Sequence, residues 1–247
     1  MSAPQFLALE WEPPPGVRVA FTLRAGGVSE APFDELNLGG HVGDRASDVG
    51  ENRRRLHEHL RLPAEPSWLD QVHGREVHEA RAPAASAPAR ADAVIVRDHL
   101  TVGVIQVADC MPVVLASRDG RAVAAAHAGW RGLAAGVLEA TVERLDVPAS
   151  DLSAWLGPAI GPAHFEVGDE VRQAFVLPDP GVAPAFAPNP RGRWQCDLPS
   201  IARSRLRRLG VGNIAGGNWC TYAHPARFFS YRRDGRCGRM AALVWLG

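Results

Sequence analysis

Lysine is missing from this 247-residue chain; every one of its 27 basic residues is arginine. That excludes a Schiff-base lysine, a catalytic lysine base and the lysine of a Walker A phosphate loop. Cysteine is scarce. Four residues with no close pairing pattern argue against a disulfide scaffold and for a reducing compartment. No apolar run approaches the roughly 20 residues of a membrane span. The first 15 residues also lack the basic start and apolar stretch of a signal peptide. Neither sign of charge is in excess, since 27 acidic residues balance the arginines. A zero formal charge gives no electrostatic case for nucleic acid or an anionic membrane as partner. The expectation is a cytoplasmic protein with neither of those partners.

What is present reads as one domain with a sizeable core and no internal repeat. A strand is expected over 17–23 and a helix over 47–61, with Ser47 or Asp48 as N-cap. Short strands are expected at 67–71 and 76–80, followed by an Ala/Pro-rich surface loop over 81–91. Between Ala93 and Ala128 the chain is almost continuously apolar, in runs at 94–96, 102–107, 113–116 and 123–126. Such runs fit strands buried on both faces, with Arg118-Asp119-Gly120 as a hairpin turn. Residues 133–145 have the spacing of one amphipathic helix. A strand over 155–160, a helix over 167–176, a proline-rich loop over 177–193, a helix over 199–209 and a closing strand over 241–246 complete the reading. Strands and helices interleave, so the class is mixed α and β.

Three residues sit in turn motifs that bear glycine or proline. They are His73 in Gln71-Val72-His73-Gly74, Cys110 in Ala108-Asp109-Cys110-Met111-Pro112, and His127 in His127-Ala128-Gly129-Trp130-Arg131-Gly132. Two imidazoles and a thiolate suit zinc, and three protein ligands leave the fourth tetrahedral position open, as in catalytic sites. From residues alone two other readings stand beside a metal site. Cys110 can be a nucleophile activated by His127 without metal, or a buried thiol beside two satisfied histidines.

A second group is cationic: Arg24 in Leu23-Arg24-Ala25-Gly26-Gly27, Arg131 after Trp130, and Arg232 and Arg233 after Phe228-Phe229-Ser230-Tyr231. Guanidinium groups bind phosphate or carboxylate in a forked geometry. Trp130, Phe165 and Tyr231 can stack a flat ligand, whereas Phe229 reads as core. Cys220 is expected in the core or at a pocket wall; Cys196 and Cys237 carry no chemistry in this reading.

These motifs in order, together with Gly157-Pro158-Ala159-Ile160-Gly161 and Phe228-Phe229-Ser230-Tyr231-Arg232-Arg233-Asp234, resemble the laccase-domain family. That family has been called multicopper polyphenol oxidase-like and is also described as purine nucleoside phosphorylase and as peptidoglycan editing factor. The resemblance extends to Thr22-Leu23-Arg24-Ala25-Gly26-Gly27-Val28-Ser29, Asn37-Leu38-Gly39, Gly43-Asp44 and Glu51-Asn52-Arg53, and so runs from about residue 19 to 246. One departure is Ala163-His164-Phe165, where the family often has a cysteine-containing stretch and tyrosine. The resemblance implies an α+β fold in which mixed β-sheets pack together with helices outside, in α/β/β/α layers similar to a toxin cysteine-hydrolase domain. It implies His73, Cys110 and His127 as ligands of zinc, with copper as an alternative ion.

The implied activity is phosphorolysis of adenosine, guanosine, inosine or methylthioadenosine to free base and ribose 1-phosphate, with adenosine deamination at the same site. The implied partners are a purine nucleoside and phosphate. On this reading Asp109, Cys110 and His127 are catalytic, with proton transfer at Asp109, and Arg24, Arg131 and Arg232 bind substrate. Two alternatives remain at this stage. One is a Cys/zinc hydrolase that edits peptidoglycan precursors, and the other is a copper-loaded polyphenol oxidase, for which nine scattered histidines are a poor supply.

Overall fold

The computed structural model describes residues 3–85 and 87–247. Its centre is a pair of sheets laid face to face, with helices on both outer faces, so the fold is α+β in α/β/β/α layers. The larger sheet has six strands in the order Asn213–Gly216, Leu152–Leu156, Met111–Ser117, Val123–Ala128, Ala93–Val96 and Val77–Glu79. The smaller has three, with the closing strand Met240–Leu246 between Val17–Phe21 and Val102–Val107.

The apolar runs explain this arrangement, because the large sheet is covered on both sides. Ile95, Val113, Leu115, Ala124 and Ala154 face a helical layer that supplies Leu133, Leu138, Phe175, Ile201 and Leu206. The alternate residues Val94, Val114, Ala125 and Trp155 face the small sheet through Phe21, Ile105, Val107, Ala242 and Val244. The outer face of the small sheet, with Val102, Val104, Ala241 and Leu243, is capped by Leu36, Leu38 and Leu56. Leu56 belongs to the helix Ala46–Leu60.

Several expected elements shift. The first helix begins at Ala46, and its N-cap residue is Arg45, with no side-chain cap; Asp48 instead accepts from Arg45 Nε at 2.7 Å. The stretch 133–145 is not one helix. Trp130–Ala135 and Val137–Leu145 are separated by Gly136, whose φ of 91° is left-handed and ends the first of them. The strand expected at 155–160 lies earlier, at Leu152–Leu156, and residues 157–160 leave the sheet. The strands expected at 67–71 and 76–80 shrink to Leu69–Asp70 and Val77–Glu79. The loop 177–193 contains a 3-10 turn, Pro180–Ala185, and the short strand Phe186–Pro188. The helix near the C-terminal third runs from Leu198 to Leu209, and Asp197 caps it by accepting from Ser200 N.

Strand polarity gathers one end of the sandwich. Val107 pairs with Met240, Met111 with Ala128, Ala93 with Ala126 and Val113 with Leu156. The turns before Met111, Ala93 and Met240, and those after Val107, Ala128 and Leu156, therefore all open at the same edge. Residues 108–110 carry the chain from the small sheet to the large one across that edge.

Candidate metal centre and its cavity

Cys110 ends the crossover between the sheets, and His127 lies in the neighbouring strand, where Pro112 pairs with it. His73 approaches from the loop after Leu69–Asp70. The three ligand atoms all lie within 4.8 Å of one another, and Cys110 Sγ is 3.8 Å from His73 Nε2. Backbone strain marks the same place. Among the described residues four non-glycine positions have left-handed φ, and two of them are His73 at 60° and Asp109 at 88°. Gly129 is the residue that leaves room for the set, since a Cβ there would stand 2.6 Å from Cys110 Sγ and 3.3 Å from His73 Cδ2. Gly129→Ala must displace the thiol, so the variant is expected to bind metal at least about tenfold more weakly than wild type. Competition with a chromogenic chelator measures this.

Asp92, which the sequence reading missed, organises the centre. It is fully buried. Its carboxylate faces His127 Nδ1 at 2.8 Å and accepts from the backbone N–H groups of Val72 (3.2 Å), His73 (2.9 Å) and Gly74 (2.6 Å). One carboxylate thus fixes the His73 turn and leaves His127 Nε2 as the nitrogen available to a ligand. This is the carboxylate–histidine arrangement found behind metal-binding imidazoles. Its only trace in the sequence is an acid placed at the head of an otherwise apolar strand.

The titration of the pair follows from this packing. Burial pushes the Cys110 thiol up, but the adjacent His127 charge and hydrogen bonds from His127 and His73 outweigh it and bring the thiol down to about 6. Burial likewise pulls His127 down, but the Cys110 thiolate and Asp92 carry it up to about 9. In the metal-free protein the two therefore form a thiolate–imidazolium pair across the interval between those values. Below about 6 the thiol holds its proton; above about 9 the imidazole loses the charge that favours the thiolate. At pH 7 a thiol of ordinary pKa is only about 3% ionised, whereas this one is mostly thiolate. Iodoacetamide labelling of Cys110 in chelator-treated protein, followed by peptide mass spectrometry, is expected to rise with a midpoint near 6.

The centre opens into a cavity of about 520 Å³, the size range of small-molecule sites, roughly 300–1,000 Å³. Trp130, Ile160, Phe165 and Tyr231 supply an apolar and aromatic wall. Arg131 and Arg232 line it. Arg131 lies over the Trp130 ring at 4.5 Å, and Arg232 lies over Phe165 at 5.4 Å while donating to Glu166 O at 3.0 Å. His41, Gln106 and Arg239 also reach it, and none of them stands in a motif that marks it in the sequence.

The structure does not bring Arg24 there. Its guanidinium donates to Asp34 Oδ2 at 2.9 Å, Asp34 O at 3.0 Å and Pro225 O at 2.9 Å, and faces a separate shallow pocket. The acid at Asp34, ten residues on, claims the arginine that the motif offered as an anion binder. Asp109 borders the cavity, but its carboxylate oxygens accept from Thr221 Oγ1 at 2.6 Å and from Arg232 N at 2.7 Å. Its backbone carbonyl accepts from Ile160 N at 2.9 Å. Asp109 thus ties three loops to the crossover. Phe229 is fully buried, as core, and Cys220 is half-buried outside the cavity, with Sγ 3.6 Å from His164 Nδ1.

Fold and site together define an α+β sandwich whose open edge presents a two-histidine, one-cysteine donor set inside a cationic, aromatic cavity. The chain belongs to the multi-copper polyphenol oxidoreductase laccase family, whose model matches residues 18–247. It is 54% identical over 243 residues to the purine nucleoside phosphorylase PA4543 of Pseudomonas aeruginosa, covering 98% of each chain. It is 48% identical over 238 residues to the purine nucleoside phosphorylase YfiH of Escherichia coli, covering 96% of this chain and 97% of that one. Among solved structures, Neisseria meningitidis protein NMB0706 superposes with a TM-score of 0.93 at 44% identity, covering 98% of both chains. YlmD from Geobacillus stearothermophilus superposes with a TM-score of 0.92 at 32% identity, covering 98% of this chain and 96% of that one. No helix among the described residues is long and apolar enough to cross a membrane.

Proposed function

We propose that this protein is a metal-dependent purine nucleoside phosphorylase of the cytoplasm. The observation that carries the reading is the convergence of His73, Cys110 and His127 donor atoms within 4.8 Å at a cavity walled by aromatic rings and arginines. Relatives that share about half of its residues over nearly the whole chain bear that activity in their names.

The donor set fits zinc, and its thiolate and imidazoles also suit copper. His73, Cys110 and His127 would hold the ion, with Asp92 behind His127. When bound, the ion supplies a Lewis acid able to polarise an oxygen of the substrate. A multicopper oxidase needs several copper ions and a larger histidine supply, and the described residues bring together one three-donor set.

The remaining chemistry belongs to side chains. Trp130, Phe165 and Tyr231 offer flat surfaces to the purine. Arg131 and Arg232 stabilise anionic charge. Asp109 acts by positioning, because it fixes Ile160 on the wall and the backbone of Arg232. In phosphorolysis an oxygen of hydrogenphosphate forms a bond to ribose C1′ as the C1′–N9 bond breaks. The electron pair of that bond leaves with the purine, and the proton of hydrogenphosphate ends on a purine nitrogen. The products are ribose 1-phosphate and free base.

The test is chromatography of adenosine and inosine incubated with zinc-loaded protein, with and without phosphate. Release of adenine or hypoxanthine only when phosphate is present is the expected result. Inosine formed from adenosine without phosphate would add deamination. Failure to release base from either nucleoside while zinc is bound would overturn the reading and favour a hydrolase acting on another substrate.

A further inference from the structure

One polar side chain in the cavity has no use in the fold. Gln106 lies on the outer face of the small sheet, in line with Val102 and Val104, which are covered by Leu36, Leu38 and Leu56. It is 6% exposed, and its Oε1 has no hydrogen-bond partner among the described residues. A buried amide oxygen left without a partner is unfavourable, so the fold alone gives no reason for it.

Its backbone is nevertheless held on both sides. Gln71 donates through Nε2 to Gln106 O at 2.9 Å and accepts through Oε1 from Gln106 N at 2.8 Å. Gln71 therefore uses its own amide to hold Gln106 in place, and both residues line the cavity.

The register identifies its neighbour. Gln106 pairs with Ala241 and Val107 with Met240, so the next position along puts Arg239 diagonally beside Gln106 on the same face. Arg239 Nη1 donates to Cys237 O at 2.9 Å and Gly238 O at 3.0 Å. Its Nε and Nη2 have no hydrogen-bond partner among the described residues. Residue 39 is glycine, and a Cβ there would stand 2.7 Å from Arg239 Cγ, so the loop is cut back to admit this side chain. His41 follows on the same loop at the cavity mouth. Its imidazole is held below the ordinary histidine value by partial desolvation and by the charges of Arg239 and Arg53, against the opposing pull of Asp70.

We propose that Gln106, Arg239 and His41 form the seat for the inorganic phosphate co-substrate, on the side of the cavity where Arg239 lies over the Tyr231 ring at 5.9 Å. The proposal rests on the phosphorolysis reading for its biological meaning. Its chemistry stands on a guanidinium, a buried carboxamide and an imidazole that line one cavity. A carboxamide that can turn about its last bond offers an acceptor to the P–O–H or two donors to the P–O⁻ oxygens. A guanidinium edge matches two phosphate oxygens at once.

The experiment uses full-length zinc-loaded protein, wild type, Gln106→Leu and Arg239→Gln. Binding of inorganic phosphate is followed by calorimetry, and KM for phosphate and for inosine is measured separately. Gln106→Leu keeps the buried volume and removes an unpaired group, so it is the variant least exposed to misfolding; circular dichroism of both variants checks this. The expected result is phosphate binding at least about tenfold weaker in each variant, with KM for phosphate raised in parallel and KM for inosine changed less than about twofold. Unchanged phosphate binding, or a rise in KM for inosine alone, would overturn the seat. If the wild type binds phosphate through these residues yet releases no base, the seat stands and the phosphorylase reading falls. If the wild type phosphorolyses inosine and the variants keep its phosphate KM, the seat alone falls.

Discussion

Cys110→Ala is expected to lose metal binding and phosphorolysis together. The thiol contributes one of three donor atoms that lie within 4.8 Å of one another, and its replacement leaves two imidazoles, of which His73 is exposed and held by a strained turn at φ 60°. Two histidines without the thiolate are a poor site for a tetrahedral zinc ion. The loss should therefore be near complete in both zinc content, by elemental analysis, and base release, by chromatography. Stability should fall less than on loss of Asp92, because His127 keeps Asp92 as its partner and Met111, Val113 and Leu115 remain packed. Full turnover by a metal-free Cys110→Ala protein would remove the centre from the chemistry.

The second large effect is expected at Asp92. Four donors converge on its carboxylate, namely His127 Nδ1 and the amides of Val72, His73 and Gly74. Asp92→Asn keeps the shape but replaces one acceptor oxygen with an amino group that faces donors. Metal affinity is expected to fall about 10–100-fold, as when a partner behind a metal-binding histidine is removed. Loss of one member of a buried, hydrogen-bonded ion pair also costs about 3–5 kcal/mol of stability. Chelator competition and urea unfolding measure the two separately. A variant with wild-type metal affinity but reduced stability would make Asp92 a purely structural residue. The Cys110 labelling profile adds a third reading: without Asp92, His127 loses one of the groups that hold its proton, and the midpoint should move up from about 6.

Much of the fold is legible in the amino-acid sequence because the large sheet is buried on both faces. Its strands at 93–96, 111–117 and 123–128 are nearly continuous apolar runs, as are 102–107 and the closing strand Met240–Leu246 of the small sheet packed against it. What is not legible depends on partners far away. Leu69–Asp70 and Ala89–Arg90 are strands only because they pair with each other, and two residues carry no periodicity. The apolar spacing over 133–145 continues past Gly136, so the break there is a matter of backbone φ and not of pattern.

The site divides the same way. The three donors stand in motifs of rare residue types and are visible one by one. Asp92 has no motif, since its four donors come from positions 72–74 and 127. Arg24 shows the opposite failure: a conspicuous arginine in a glycine-bearing turn, claimed in the fold by Asp34 and Pro225. Gln106 and Arg239 become neighbours only through strand register across more than 130 residues of chain.

The measurement that bears most directly on the whole account is ³¹P NMR of inosine and inorganic phosphate incubated with zinc-loaded wild type and, in parallel, with Cys110→Ala. The account predicts a ribose 1-phosphate resonance that grows at the expense of inorganic phosphate with wild type and is absent with the variant. The same resonance from both proteins would contradict the role of the His73–Cys110–His127 centre, and its absence from both would contradict nucleoside phosphorolysis itself.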